Sequence, residues 1–389
     1  MEHHATPQGA RALRTHRILM RLSLGTGIFA WLLIFQIFSL AFGFERALFS
    51  VLVLYSLSQL IAFFLTPLSA PALRFGVRRA LAFGTLSAAF VSTAVALMFA
   101  PESPVSFFAL LSTFVVFSAL QRSLYWIPYQ SVAPEFPRIP LPEILLMLAP
   151  LFAGVLLAVP GLGALVFIAA AVCALAALVP LTHVPERVEA FEWSAGETLR
   201  ALLAQRHRGI LLSGVLDGIQ GTTLLLLWPI SIFVIIRGDW FLFGILFSSS
   251  LLLTFFLRSR VQKALKRLRA ERSDTILALL AFGAWGARLA APAPLAIVSA
   301  DVFSGTTISA KRFSVDAHAG EQAADGGHFI DEFTALKEMA LYLGRILACL
   351  FCIMLITFSG SFALAGTIIL AGIASAASVI RARRAARAL

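Results

Sequence analysis

Residues 22–43, LSLGTGIFAWLLIFQIFSLAFG, decide how this chain is read. The run holds no charged residue and a single side-chain amide, Gln36. A helix needs about 20 predominantly apolar residues to cross a bilayer core, and this run is long enough. The segment before it, Met1 to Arg21, is polar and carries Arg11, Arg14, Arg17 and Arg21. A basic stretch ahead of an apolar run also opens a cleaved signal peptide, but this run is too long for a signal core and shows no small-residue cleavage site. It reads as a retained first span.

The same ruler applied along the chain predicts further spans at 48–70, 80–99, 106–131, 141–159, 162–181, 209–236, 240–257, 274–291, 294–310, 329–358 and 361–380. Composition agrees. Hydrophobic residues make up 59% of the 389 and charged residues 13%, against about 25% charged in a soluble domain. The 34 Phe outnumber the 4 Tyr and 6 Trp, a bias suited to lipid, where a ring without a polar handle carries no cost. The net charge of +11 does not indicate nucleic acid, because the basic residues sit in short gaps between apolar runs. Cys173, Cys349 and Cys352 lie inside those runs and read as small hydrophobes.

Charge orients the spans. Lys and Arg concentrate in cytoplasmic loops. With the N-terminus inside, 25 of the 31 Lys and Arg fall on that side, two (Arg46 and Arg237) fall outside, and Arg122, Arg288, Lys337 and Arg345 lie within spans. Residues 182–208 form a long polar break near the middle, in which Ser194 and Glu197 have capping-box spacing ahead of a short amphipathic helix. The expected architecture is an all-α membrane protein. A basic cytoplasmic tail (1–21) leads into a six-helix bundle (22–181), a cytoplasmic linker (182–208), a second six-helix bundle (209–380) and a basic cytoplasmic tail (381–389). Twelve transmembrane helices and two inside termini follow, in a monomer of the bacterial inner membrane bathed in lipid.

After the second span the chain reads SAPALRFGVRRAL (69–81), with Arg74, Gly76, Arg78 and Arg79 at the positions of a Gly-x-x-x-Asp-Arg-x-Gly-x-Arg-Arg loop. Ser69 stands at the first Gly and Leu73 at the acid. Span 5 holds Ala149-Pro150-x-x-x-Gly154, and YWIPYQ (125–130), DGIQG (217–221), WPI (228–230) and KEMALYLGR (337–345) are further marked strings. With its six-plus-six plan, the chain resembles the major facilitator superfamily, in an uncharacterised bacterial branch. The resemblance implies two bundles rocking about a central cavity with the substrate between them, and a gating role for the loop of Arg74, Gly76, Arg78 and Arg79.

Ionisable side chains cost roughly 2.5–3.5 kcal/mol inside a bilayer and usually face a bundle interior or a partner. Asp217 shares a helix face with Gln220, among Gly214, Gly218 and Gly221. Glu338 and Arg345 are seven apart on one face, with Lys337 directed elsewhere. Arg122, Trp126 and Tyr129 recur at i, i+4 and i+7 and offer a cation with rings. Gln36 is the polar group of span 1. These eight (Asp217, Gln220, Glu338, Arg345, Arg122, Trp126, Tyr129, Gln36) are the candidates for substrate binding or proton coupling, each set against plain helix packing. Arg288 and Asp301, on spans joined by APAP, are expected to form a structural pair. Two Arg facing the cavity without acids would indicate an anionic substrate.

No phosphate-cradling Gly loop, metal-spaced His/Cys cluster or nucleophile elbow is present, so neither an enzyme, a cofactor nor a metal is expected. The leading reading is a secondary active transporter of a small solute, with proton coupling through the buried acids. Two others stand beside it. One is a non-transporting sensor or assembly protein, which a packed centre would favour; the other is a lipid flippase, which an apolar lateral opening would favour.

Overall fold

The computed structural model describes residues 7–69, 76–99, 105–132, 140–186, 193–267, 274–307 and 330–387. Their secondary structure is helical. The helices are α1 (Pro7–Gly25), α2 (Gly27–Phe42), α3 (Phe44–Ser69), α4 (Val77–Met98), α5 (Phe107–Val132), α6 (Pro140–Ala158), α7 (Gly163–Leu181), α8 (Ala195–Leu203), α9 (Arg208–Thr222), α10 (Trp228–Ile235), α11 (Trp240–Arg267), α12 (Asp274–Leu289), α13 (294–307), α14 (Ile330–Ser359) and α15 (Ala363–Arg387). Among the described residues nine helical segments are long and apolar enough to cross a membrane. The expected spans at 141–159 and 274–291 appear as shorter apolar helices, Pro142–Ala158 and Thr275–Leu289, and the one at 294–310 is helical over 294–307. The first helix begins at Pro7, so the basic segment before residue 22 is itself helical, and α1 and α2 run on with a single turn residue, Thr26, between them.

Lipid offers the backbone no hydrogen bonds, so helical polar side chains must bond within the protein. Thr66, Thr85, Ser123, Thr223, Ser231 and Thr367 all donate to carbonyls four residues back. Large apolar side chains instead point outward, among them Phe83, Phe108, Val172, Leu279 and Phe358. That pattern inverts a soluble protein and suits a lipid-facing surface.

Between helices the fold uses small residues, which let backbones approach. In the first half α4 packs on α5 and α7, α1 lies on α7, and α3 lies on α5. His16 of α1 meets the Ala177 carbonyl of α7 at 2.8 Å. In the second half α9 packs on α14 and α15, and α12 on α15. At the α9–α14 crossing, a Cβ added to Gly218 would stand 2.9 Å from Gly344 Cα. The two halves meet along α3–α14 and α6–α11. On the latter, Gly154 and Gly244 face each other so closely that a Cβ on Gly154 would stand 2.6 Å from the Trp240 carbonyl, and Ser248 Oγ accepts from Leu151 N at 2.9 Å.

The linker helix α8 begins at Ser194 with both halves of a capping box: Glu197 N donates to Ser194 Oγ and Ser194 N donates to Glu197 Oε2. Hydrogen bonds from the Ser194 backbone and side chain to the carboxylate favour its charged form and lower the Glu197 pKa. The helix does not lie free on a surface. Leu202 is buried with Leu336 and Met339 of α14, against Phe63 of α3. Beyond α9, Thr223–Leu227 forms a π turn that leads into Trp228-Pro229. Pro229 cannot donate a backbone bond, and the ladder adjusts just ahead of it.

Candidate functional site

A cavity of about 660 Å³ lies between the two halves. α2, α4, α5 and α7 line it from one side, and α9, α12 and α14 from the other. Six of the eight sequence candidates line it: Arg122, Trp126, Asp217, Gln220, Glu338 and Arg345. Lys337, expected to point elsewhere, lines it as well. Outside that lining, ring contacts join the two halves. Phe29 of α2 lies 6.3 Å from Trp240 and 5.5 Å from Phe243 of α11, ring to ring, and Phe233 of α10 is 4.5 Å from Trp240.

Gln36 and Tyr129 are not among the lining residues. Gln36 belongs to the contact between the halves, where its Oε1 accepts from Trp240 Nε1 at 3.1 Å. Tyr129 stacks on Tyr125 at 5.4 Å with an interplanar angle of 12°, and packs with α1. Its ring prefers the i, i+4 partner to the cavity.

Asp217 Oδ1 accepts from Ser378 Oγ at 3.1 Å and from Gln220 Nε2 at 3.4 Å. It thereby ties α9 to α15 at the cavity edge. The surrounding glycines serve packing: Gly214 and Gly218 abut Ala340, Leu341 and Gly344 of α14. Glu338 is buried at the cavity wall. Arg345 reaches across the halves, where its Nη1 donates to Gln59 Oε1 of α3 at 3.1 Å, and its guanidinium lies over the Tyr342 ring. Arg122 lies over the Tyr55 ring at 5.3 Å. Among the described residues neither guanidinium is in an ion pair.

Arg288 and Asp301 do meet. Asp301 Oδ1 accepts from Arg288 Nε and Nη2, each at 3.0 Å, and from Trp228 Nε1 at 2.8 Å. Trp285 and Trp228 flank the guanidinium at 4.6 and 5.6 Å. Trp285 also lines the cavity, so this pair forms part of its backing.

Of the four loop residues, Arg74 lies outside the described residues. Gly76 has φ +119° and precedes α4. Arg78 N and Nε both donate to Glu186, at 3.1 and 3.0 Å. The carboxylate sits so close to Gly76 that an added Cβ would collide with it. An acid from after α7 thus meets Arg78 of the basic loop, in which the sequence has Leu73 at the resemblance's acidic position. Glu186 was not singled out in the sequence, and neither were Gln121, Trp31 and Trp285, which the structure places on the cavity wall. A polar residue at that depth, Gln121, was the available signal.

No protein-family model matches the sequence, and no curated protein matches it. Solved structures do. A bacterial homologue of the iron transporter ferroportin, in an inward-facing state, superposes with TM-score 0.63 at 13% identity, covering 98% of this chain and 99% of that one. A D-xylose-proton symporter gives 0.60 at 13% identity, covering 96% and 95%. The nucleoside transporter NupG, as its D323A mutant, gives 0.59 at 15%, covering 97% and 99%. The likeness runs through nearly the full length of each chain and is one of fold.

Proposed function

We propose that this chain, which has the major facilitator fold of those transporters, is a secondary active transporter and not an enzyme, moving a small solute by alternating access. One observation carries the reading: a cavity of about 660 Å³ between the halves, lined by both acids and cations. A non-transporting relative would be expected to pack that centre, and a flippase to open it sideways through apolar residues. The full reading is twelve spans in two six-helix bundles (22–181 and 209–380), with tails 1–21 and 381–389 and linker 182–208 inside, as a monomer in a bacterial inner membrane. In that orientation the ring contacts of Phe29 and Phe233 with Trp240 close the outward end. Helices α3–α14 and α6–α11 are then the surfaces on which the bundles rock, and Gly76, Arg78 and Arg79, with Glu186 on Arg78, form a brace beside the moving ends.

Coupling is assigned to Asp217 and Glu338. Protonating either removes a negative charge from a cavity that also holds Arg122, Lys337 and Arg345, and so changes which open state is preferred. Pulsed electron–electron spin resonance tests this without knowledge of the solute. Spin-label pairs go at the outward end (Phe42 with Arg237) and the opposite end (Thr182 with Gly209, both exposed), in proteoliposomes. The expected outcome is two distance populations whose ratio changes with pH, with the change reduced or lost in Asp217→Asn or Glu338→Gln. A single distance at both ends under all conditions would rule out alternating access.

A further inference from the structure

We propose that the cavity binds an organic oxyanion, a carboxylate or phosphonate-type head on a flat apolar body, with the head held between Arg122 and Arg345. The proposal rests on the transporter reading and adds the chemical class of its solute.

The two guanidiniums are held by one face of α3. Arg122 of α5 lies over Tyr55, and Arg345 of α14 bonds Gln59. Tyr55 and Gln59 are four residues apart, a separation of about 6 Å along a helix. Tyr342, fully buried, sits within electrostatic reach of Glu338 and of both cations, so one acid faces two guanidiniums there. Two positive groups from opposite bundles are therefore brought close on one scaffold, where mutual repulsion alone would drive them apart.

The unmet hydrogen-bonding groups around them are donors, apart from the Tyr342 hydroxyl, which can donate or accept. Arg122 Nη1, Arg345 Nε, Gln121 Nε2 and Gln59 Nε2 are all buried and have no acceptor among the described residues. Gln121 is 6% exposed and lines the cavity; Gln59 is 0% exposed, and its own Oε1 is used by Arg345. Buried donors are normally satisfied, and four together without acceptors call for a ligand that accepts only. A deprotonated oxyanion is such a group. The same chain gives its buried Arg288 a carboxylate at 3.0 Å, so an unpaired cavity arginine is not this fold's general habit. Trp31, Phe114, Trp126, Phe167 and Trp285 line the rest of the cavity, which suits an apolar body. The volume lies within the range of small-molecule pockets, roughly 300–1,000 Å³.

The test measures equilibrium binding to the purified full chain in detergent with four matched probes: 4-phenylbutyrate, 3-phenylpropylphosphonate, 4-phenylbutanamide and 4-phenylbutylamine. One or both anions should bind at least about tenfold more tightly than the amide, with the amine weakest, and the two anions rank carboxylate against phosphonate. Arg122→Gln and Arg345→Gln should each lower anion affinity about tenfold or more and leave the amide unchanged. Gln121→Leu keeps both cations and is expected to weaken anion binding alone, by a few-fold, should either arginine variant fail to fold. Amide binding as tight as anion binding, preference for the amine, absence of anion binding, or anion affinity that survives both arginine substitutions would each overturn the proposal. The spin-label distances are read without any solute. Anion binding can therefore fail while alternating access stands, and a locked protein can still bind the anion.

Discussion

Removing Asp301 should be among the most damaging single changes in this protein. The magnitude follows from what its Oδ1 holds. It accepts from Arg288 Nε and Nη2 and from Trp228 Nε1, all between 2.8 and 3.0 Å. The side chains of Arg288 and Asp301 are only 3% and 12% exposed, so the surface value of about 0–1 kcal/mol for an ion pair does not apply. Asp301→Ala leaves a cation wedged between Trp285 and Trp228 with no counter-charge. Arg288 Nη1 already lacks an acceptor, and this change orphans three more donors. The expected loss is about 3–5 kcal/mol, the usual cost of stripping one partner from a buried pair, or more than a hundredfold in the folding equilibrium. Asp301→Asn keeps an acceptor for Trp228 and should lie between wild type and Asp301→Ala. Arg288→Met with Asp301→Leu removes both charges and should recover most of the loss, because apolar replacement of a buried pair is often neutral. Unfolding followed by SDS titration in mixed micelles measures these proteins, and the singles Arg288→Met and Asp301→Leu complete a double-mutant cycle with the double variant. A loss below about 1 kcal/mol for Asp301→Ala, or a double variant costing the sum of its singles, would refute the reasoning.

Two further changes probe the packing and the basic loop. Gly344→Ala drives a methyl into the backbone of Val215, 2.8 Å from its carbonyl carbon and Cα; backbone cannot yield as a side chain does, so stability should fall by about 1–3 kcal/mol, and unchanged thermal stability would mean that α9 and α14 are not in contact there. Glu186→Ala should cost less than about 1 kcal/mol because the Arg78 and Glu186 side chains are 38% and 27% exposed, and the difference should vanish at high salt; a large, salt-insensitive loss would place that pair in a dry interior.

What the sequence made legible is what the bilayer and the helix repeat impose. A span's length is set by membrane thickness, so hydropathy located the helices, and it was weakest over 294–310, which Asp301 interrupts, and at the polar start of the span over 329–358. The phase around a helix was legible too: Arg122 with Trp126, and Asp217 with Gln220, do share the cavity face. Depth relative to the cavity was not. Gln36 has a suitable phase but belongs to the contact between the halves, where Trp240 takes its oxygen. Tyr129 shares the phase of Arg122 but lies nearly two turns further along, where Tyr125 and α1 claim its ring. Pairings distant in sequence were also hidden. Arg78 finds its acid 108 residues away, and Leu73 in the loop gave no hint of it. The same blindness concealed the strongest clue to the solute. Arg345 on its own predicts only some partner, and Glu338, seven residues before it, looks like the natural one. Once the halves are assembled, the group that reaches its guanidinium is the neutral Gln59 amide. The positive charge is oriented without being neutralised, and an anionic solute would supply the missing charge and acceptors together.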